Sequence, residues 1–126
     1  MSGGNGMAQP AVATLSICNR TASGCSGSAS YSLAAMRDLS VDVRWSHLTE
    51  GTHTQTVELL EPGGGSYQVQ YASFAIYNPG DGSVQANAVF PVAGSWITVR
   101  GITGNWSVRV SLDGQNVSTQ PVDFQP

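Results

Sequence analysis

Two histidines, His47 and His53, lie in the stretch SHLTEGTH, where a hairpin loop would bring the two imidazoles together to hold a metal ion. Either one could also serve as the base of a Ser-His-Asp array, because serine is plentiful along the chain. The sequence has no G-x-S-x-G elbow to expose a nucleophile, and no CxxC pair to complete a zinc site. Both histidines are therefore expected as exposed loop residues, and no enzymatic role is expected. Asp81 in NPGDGS and Asp113 in SLDGQ resemble fragments of calcium loops, but the alternating carboxylates of such loops do not follow them. Turn formation accounts for both, and no cofactor is expected.

Three other residue sets bear on chemistry. Cys18 and Cys25 frame CNRTASGC, and the serine- and glycine-containing connection permits a disulfide; the alternative is two unpaired thiols. A bridge would indicate an oxidising compartment. All five cations are arginines, the net charge is −3 and lysine is absent, which excludes a Schiff-base lysine and a phosphate-loop lysine. A basic surface for nucleic acid is excluded with them. The third set is aromatic. Trp45 and Trp106 alternate in phase with valines and leucines and are expected in the core, whereas Trp96 is out of phase with Ile97 and Val99 and is expected outside. With Tyr67 and Tyr71 it makes the candidate ligand-binding set, a platform on which a sugar ring would stack.

The elements that must position these residues follow a period of two. In LSVDVRW, Leu39, Val41, Val43 and Trp45 fall on one face, with Ser40, Asp42 and Arg44 on the other. NWSVRVSL repeats the pattern, and Asp113-Gly114 then supplies a type I′ turn before QNVSTQPVDF. Further strands are expected over 54–60, 67–77, 84–92 and 95–102, with weaker ones over 11–17 and 29–35. Residues 31–37 are an alternative helical turn. Within YQVQYASFAIY the alternation slips, which a bulge or a crossing between sheets would produce. Seven to nine short strands with no confident helix predict an all-β fold, an antiparallel β-sandwich. Residues 1–10, ending at Pro10, read as a flexible tail, and residues 11–126 as a single domain.

GTHTQTVELLEPGGGSYQV, FPVAGSWITV and GNWSVRVSLDGQNV together resemble the immunoglobulin-like or fibronectin-III-like β-sandwich modules of bacterial exported and cell-surface proteins. The resemblance runs over residues 39–126 and specifies architecture, with no functional residue to carry over. It implies an Ig-like sandwich placed outside the cell, at the cell surface or in the periplasm, in a structural or protein-interaction role. The expected partner is another protein, or a second copy joined through edge strands that carry few charges, as in a surface assembly. A glycan is the alternative partner, and a small metal-binding or hydrolytic domain the remaining reading. The segment MSGGNGMAQPAVATLSIC lacks the features of a secretory signal, so an exported form is expected to have lost its signal ahead of this numbering. No run approaches the ~20 apolar residues of a membrane span.

Overall fold

The computed structural model describes residues 11–21, 24–28, 30–77 and 84–126. The tail expected at 1–10 and the NPGDGS turn with Asp81 lie outside the described residues. Two sheets face each other. One has the order β2 (Gly24–Ser26), β1 (Val12–Thr21), β4 (Asp38–Ser46), β7 (Val84–Pro91). The other has the order β3 (Ser30–Ser32), β9 (Gln115–Gln125), β8 (Gly104–Leu112), β5 (Gly51–Leu60), β6 (Ser66–Ile76). Neighbouring strands run antiparallel except β3, which lies parallel to β9 through Ser30–Ser32 and Asp123–Gln125. That pair departs from the expected all-antiparallel pairing. It arises because the chain leaves the four-stranded sheet after β2 and joins the other sheet running in the direction of its last strand.

The core sits between the sheets, where the alternating positions point. Leu39, Val41, Val43 and Trp45 of β4 meet Val57 and Leu59 of β5 and Trp106, Val108 and Val110 of β8, all fully buried. Burying each such aliphatic side chain is worth roughly 1.5–3 kcal/mol against leaving it in water. The β8–β9 turn has φ of 51° at Asp113 and 86° at Gly114, the two positive angles a type I′ hairpin requires.

Three expectations need correction. The strand expected over 95–102 is a short helix, α1 (Trp96–Val99). Ser95 caps it, its Oγ accepting the Ile97 N–H at 3.2 Å. Gly101, at φ 60°, ends it: the Gly101 N–H donates to Thr98 and the Ile102 N–H to Ile97, the paired bonds of a Schellman turn. Second, SHLTEGTH is not the loop of a hairpin within one sheet, because it carries the chain from β4 in one sheet to β5 in the other. Third, His53 is not an exposed loop residue: it lies on β5 and is only 7% exposed. β6 does carry a bulge, but at Tyr67, ahead of the expected slip between Tyr71 and Phe74; from Gln68 to Ile76 the pairing is regular, with Tyr71 outside and Phe74 inside. Gln68 pairs with Leu59 and Ser66 with Leu60, so Tyr67 has no cross-strand partner and turns inward onto Trp106, ring centroids 5.5 Å apart. From Ser30 to Met36, strand and turn both occur, as β3 is followed by turns closing at Ala35 and Met36.

Candidate functional site

β5 carries a polar site near its first end. Its residues His53, Gln55, Val57 and Leu59 point inward, and Thr54, Thr56 and Glu58 outward. At the first end, His53 Nδ1 lies 2.7 Å from Asp113 Oδ2 and Nε2 lies 2.7 Å from the Thr49 carbonyl oxygen. Both partners are oxygen acceptors, so the two contacts together call for a proton on each ring nitrogen, the imidazolium form. The Thr49 carbonyl, then the Asp113 carboxylate, raise its pKa above the ordinary 6.5, and burial opposes them. Asp113 is held below its ordinary 3.8, first by the Thr54 N–H at 2.8 Å and then by His53. The Asp113-Gly114 turn was read from sequence as a hairpin turn alone, yet its side chain also anchors β5.

Thr49 Oγ1 stands 3.5 Å from His53 Nε2, so threonine, histidine and aspartate fall in a row. The row does not make a nucleophile, because the Nε2 proton is committed to the Thr49 carbonyl and no lone pair remains to take the hydroxyl proton. Beside it opens a cleft of about 410 Å³, lined among others by His47, Leu48, Gln115 and Asn116. His47 and His53 therefore border one cleft, but both His53 nitrogens are already spent on protein oxygens. Among the described residues, no group of three or more His, Cys, Asp or Glu side chains is placed to hold a metal ion.

Of the three aromatic residues singled out from sequence as a binding set, two come together. Trp96 is 60% exposed on α1, with the Arg100 guanidinium 4.7 Å from its ring centroid. Tyr67 joins it in a shallow hollow of about 290 Å³, completed by Gly94, Ser95 and Val99. Tyr71 does not line this hollow: beyond the bulge its side chain points to the outer face, opposite Thr56, and is 72% exposed. Cys18 and Cys25 form a disulfide, with Cα atoms 5.4 Å apart, across the β1–β2 hairpin.

Among solved structures, the chain is similar to an immunoglobulin-like protein of Pseudomonas aeruginosa, with a TM-score of 0.58 over 94% of this chain and 98% of that one. The fold is immunoglobulin-like. Identity to that protein is 11%, so the likeness concerns the fold and none of the residues above. No family model and no curated protein matches the sequence. No helix among the described residues is long and apolar enough to cross a membrane.

Proposed function

We propose that this chain is a non-enzymatic, exported Ig-like module in a structural or protein-interaction role, a subunit of a surface assembly built by edge-strand pairing between copies. The observation that carries the reading is a pair of long uncharged edges. β2 pairs with β1 only from Asn19 to Thr21, so among the described residues the outer edge of β1 is uncovered by any strand over VATLSIC, residues 12–18. β6, an edge strand eleven residues long, reads SYQVQYASFAI and also lacks charge. Proteins that stay monomeric guard such edges with lysine, proline or inward charges. The two edges lie on opposite flanks, β1 beside β9 and β6 beside β7. Pairing β1 of one copy with β6 of the next is therefore heterologous, a head-to-tail contact that leaves a free edge on each copy for the next. The disulfide supports export, since such bridges persist in oxidising compartments.

Native mass spectrometry without reductant, over rising concentration, tests this. The expected result is a ladder of oligomers. A chain carrying Thr14→Lys and Ser16→Lys on the outer face of β1 keeps its β6 edge, so mixed with wild type it terminates the ladder. Monomer at every concentration overturns the assembly reading.

The hollow shared by Trp96 and Tyr67 supports a second reading, a carbohydrate-binding module whose exposed indole stacks on a sugar ring. A glycan screen comparing wild type with Trp96→Ala decides it. Binding that is lost in the variant supports the reading, and no binding removes it.

A further inference from the structure

We propose that His53 is a protonation-dependent latch: as an imidazolium it ties the 47–50 crossover to the β8–β9 turn, and loss of its proton loosens the wall of the adjoining cleft. The geometry requires both protons. One nitrogen faces a backbone carbonyl and the other a carboxylate, each at 2.7 Å. Removing either proton sets a nitrogen lone pair against an oxygen lone pair at that distance. Asp113 cannot swing away cheaply, because its other oxygen accepts the Thr54 N–H at 2.8 Å and it occupies the tight turn at φ 51°. The weak member is the crossover. It holds Thr49 between two strands of different sheets, and His47 there already stands in the left-handed region at φ 62°. Displacing Thr49 shifts His47 and Leu48 with it, and all three line the cleft.

The groups around the imidazole leave few competitors. Asp113 comes from the β8–β9 turn, and His47 and the exposed Glu50 come from the crossover itself. β6 presents the uncharged Phe74, its ring centroid 6.2 Å away, and β9 presents Gln115 and Asn116 to the same cleft. Because His53 titrates higher in the fold than in the unfolded chain, its contribution is complete below the ordinary 6.5 and is lost as pH rises through the folded value. Asp113 titrates lower, so its contribution is present above the ordinary 3.8 and is lost as pH falls through the folded value. The latch is closed in the mildly acidic window between them.

Hydrogen–deuterium exchange of the full chain from about pH 5 to about pH 9, corrected for the intrinsic pH dependence of exchange, reads the latch directly. Uptake in residues 47–52 is expected to rise about threefold or more across the folded-state titration of His53, while β4 and β8 stay unchanged. His53→Gln is expected to lose the step. Nitrogen-15 shifts of the wild-type imidazole are expected to report two protonated nitrogens at the acid end, a readout that survives if the variant does not fold. Uptake with no step, or a neutral imidazole in mild acid, overturns the proposal. Neither readout depends on association between copies.

Discussion

Trp45 and Gln55 offer the sharpest test of what joins the two sheets. Trp45 stands on β4 and Gln55 on β5, both essentially excluded from water, with Gln55 1% exposed. The indole Nε1–H donates to Gln55 Oε1 at 2.7 Å, so a polar bond crosses the middle of an otherwise apolar core. Gln55→Leu keeps the volume but strands the indole N–H, at a cost of about 2 kcal/mol. Trp45→Phe strands the amide oxygen by a similar amount and leaves a gap, for about 3 kcal/mol in all. The double variant has no orphan and keeps only the gap, so its loss is about 1–2 kcal/mol, well below the sum of the singles. With about 4 °C in Tm per kcal/mol for a chain of this size, Gln55→Leu melts about 8 °C lower. Circular dichroism follows all four proteins without relying on tryptophan emission. If the double variant loses the sum of the two singles to within about 0.5 kcal/mol, the bond carries no coupling and the reasoning fails.

Two further outcomes follow from the disulfide and the exposed indole. The Cys18–Cys25 bridge closes a loop of eight residues, counting both cysteines. In the chain-entropy treatment this is worth about 2.5 kcal/mol, so adding reductant should lower Tm by about 10 °C, as thermal melts with and without reductant will show. An unchanged Tm would show that the reduced hairpin is equally constrained. Trp96→Ala, at a side chain 60% exposed, should change stability by no more than about 0.5 kcal/mol, whereas Trp106→Ala, fully buried, should cost about 3–5 kcal/mol. Comparable losses at the two sites would contradict the division between exposed and core indoles.

Most of the fold was legible because burial in a two-layer sandwich repeats the period of the strand. Leu39 to Trp45 and Trp106 to Leu112 alternate cleanly, and both segments are strands with those residues inside. The signal failed where another constraint outranked alternation. In SWITV, Ile97 and Val99 imitate a strand face, but Ser95 and Gly101 are cap residues at helical spacing, and Ile97 is buried while Val99 is 68% exposed. Those two caps were the available signal. His53 was missed because β5 was expected to begin at Thr54. Carried one residue further back, the parity of Val57 and Leu59 runs through Gln55 to His53 and places two polar side chains inside. No local pattern pairs His53 with Asp113, sixty positions later in the chain.

The same low charge that leaves the edges open also dictates how the seams are closed. Across the two sheets the ties are neutral side chains. Besides the Trp45–Gln55 bond, Tyr31 on β3 donates its hydroxyl to the Ile17 carbonyl on β1 at 3.1 Å. Gln70 on β6 brackets Val89 on β7, its Nε2 donating to the carbonyl and its Oε1 accepting the N–H at 3.3 Å. An amide reproduces the donor and acceptor of a backbone unit, so Gln70 stands in for a residue of the strand β7 lacks at that point. Such bonds satisfy buried or half-buried groups without the desolvation cost of ion pairs, so the sandwich needs few charges. Of the four long edges, β7 is thereby partly occupied from within, β9 carries Pro121 and is partly covered by β3, and β1 is met at Ile17 by Tyr31, so the Val12–Ser16 stretch of β1 and β6 are the uncharged edges on which the proposed assembly rests. The His53–Asp113 contact, by contrast, uses charge on a histidine, and it is accordingly the contact that pH can open near neutrality.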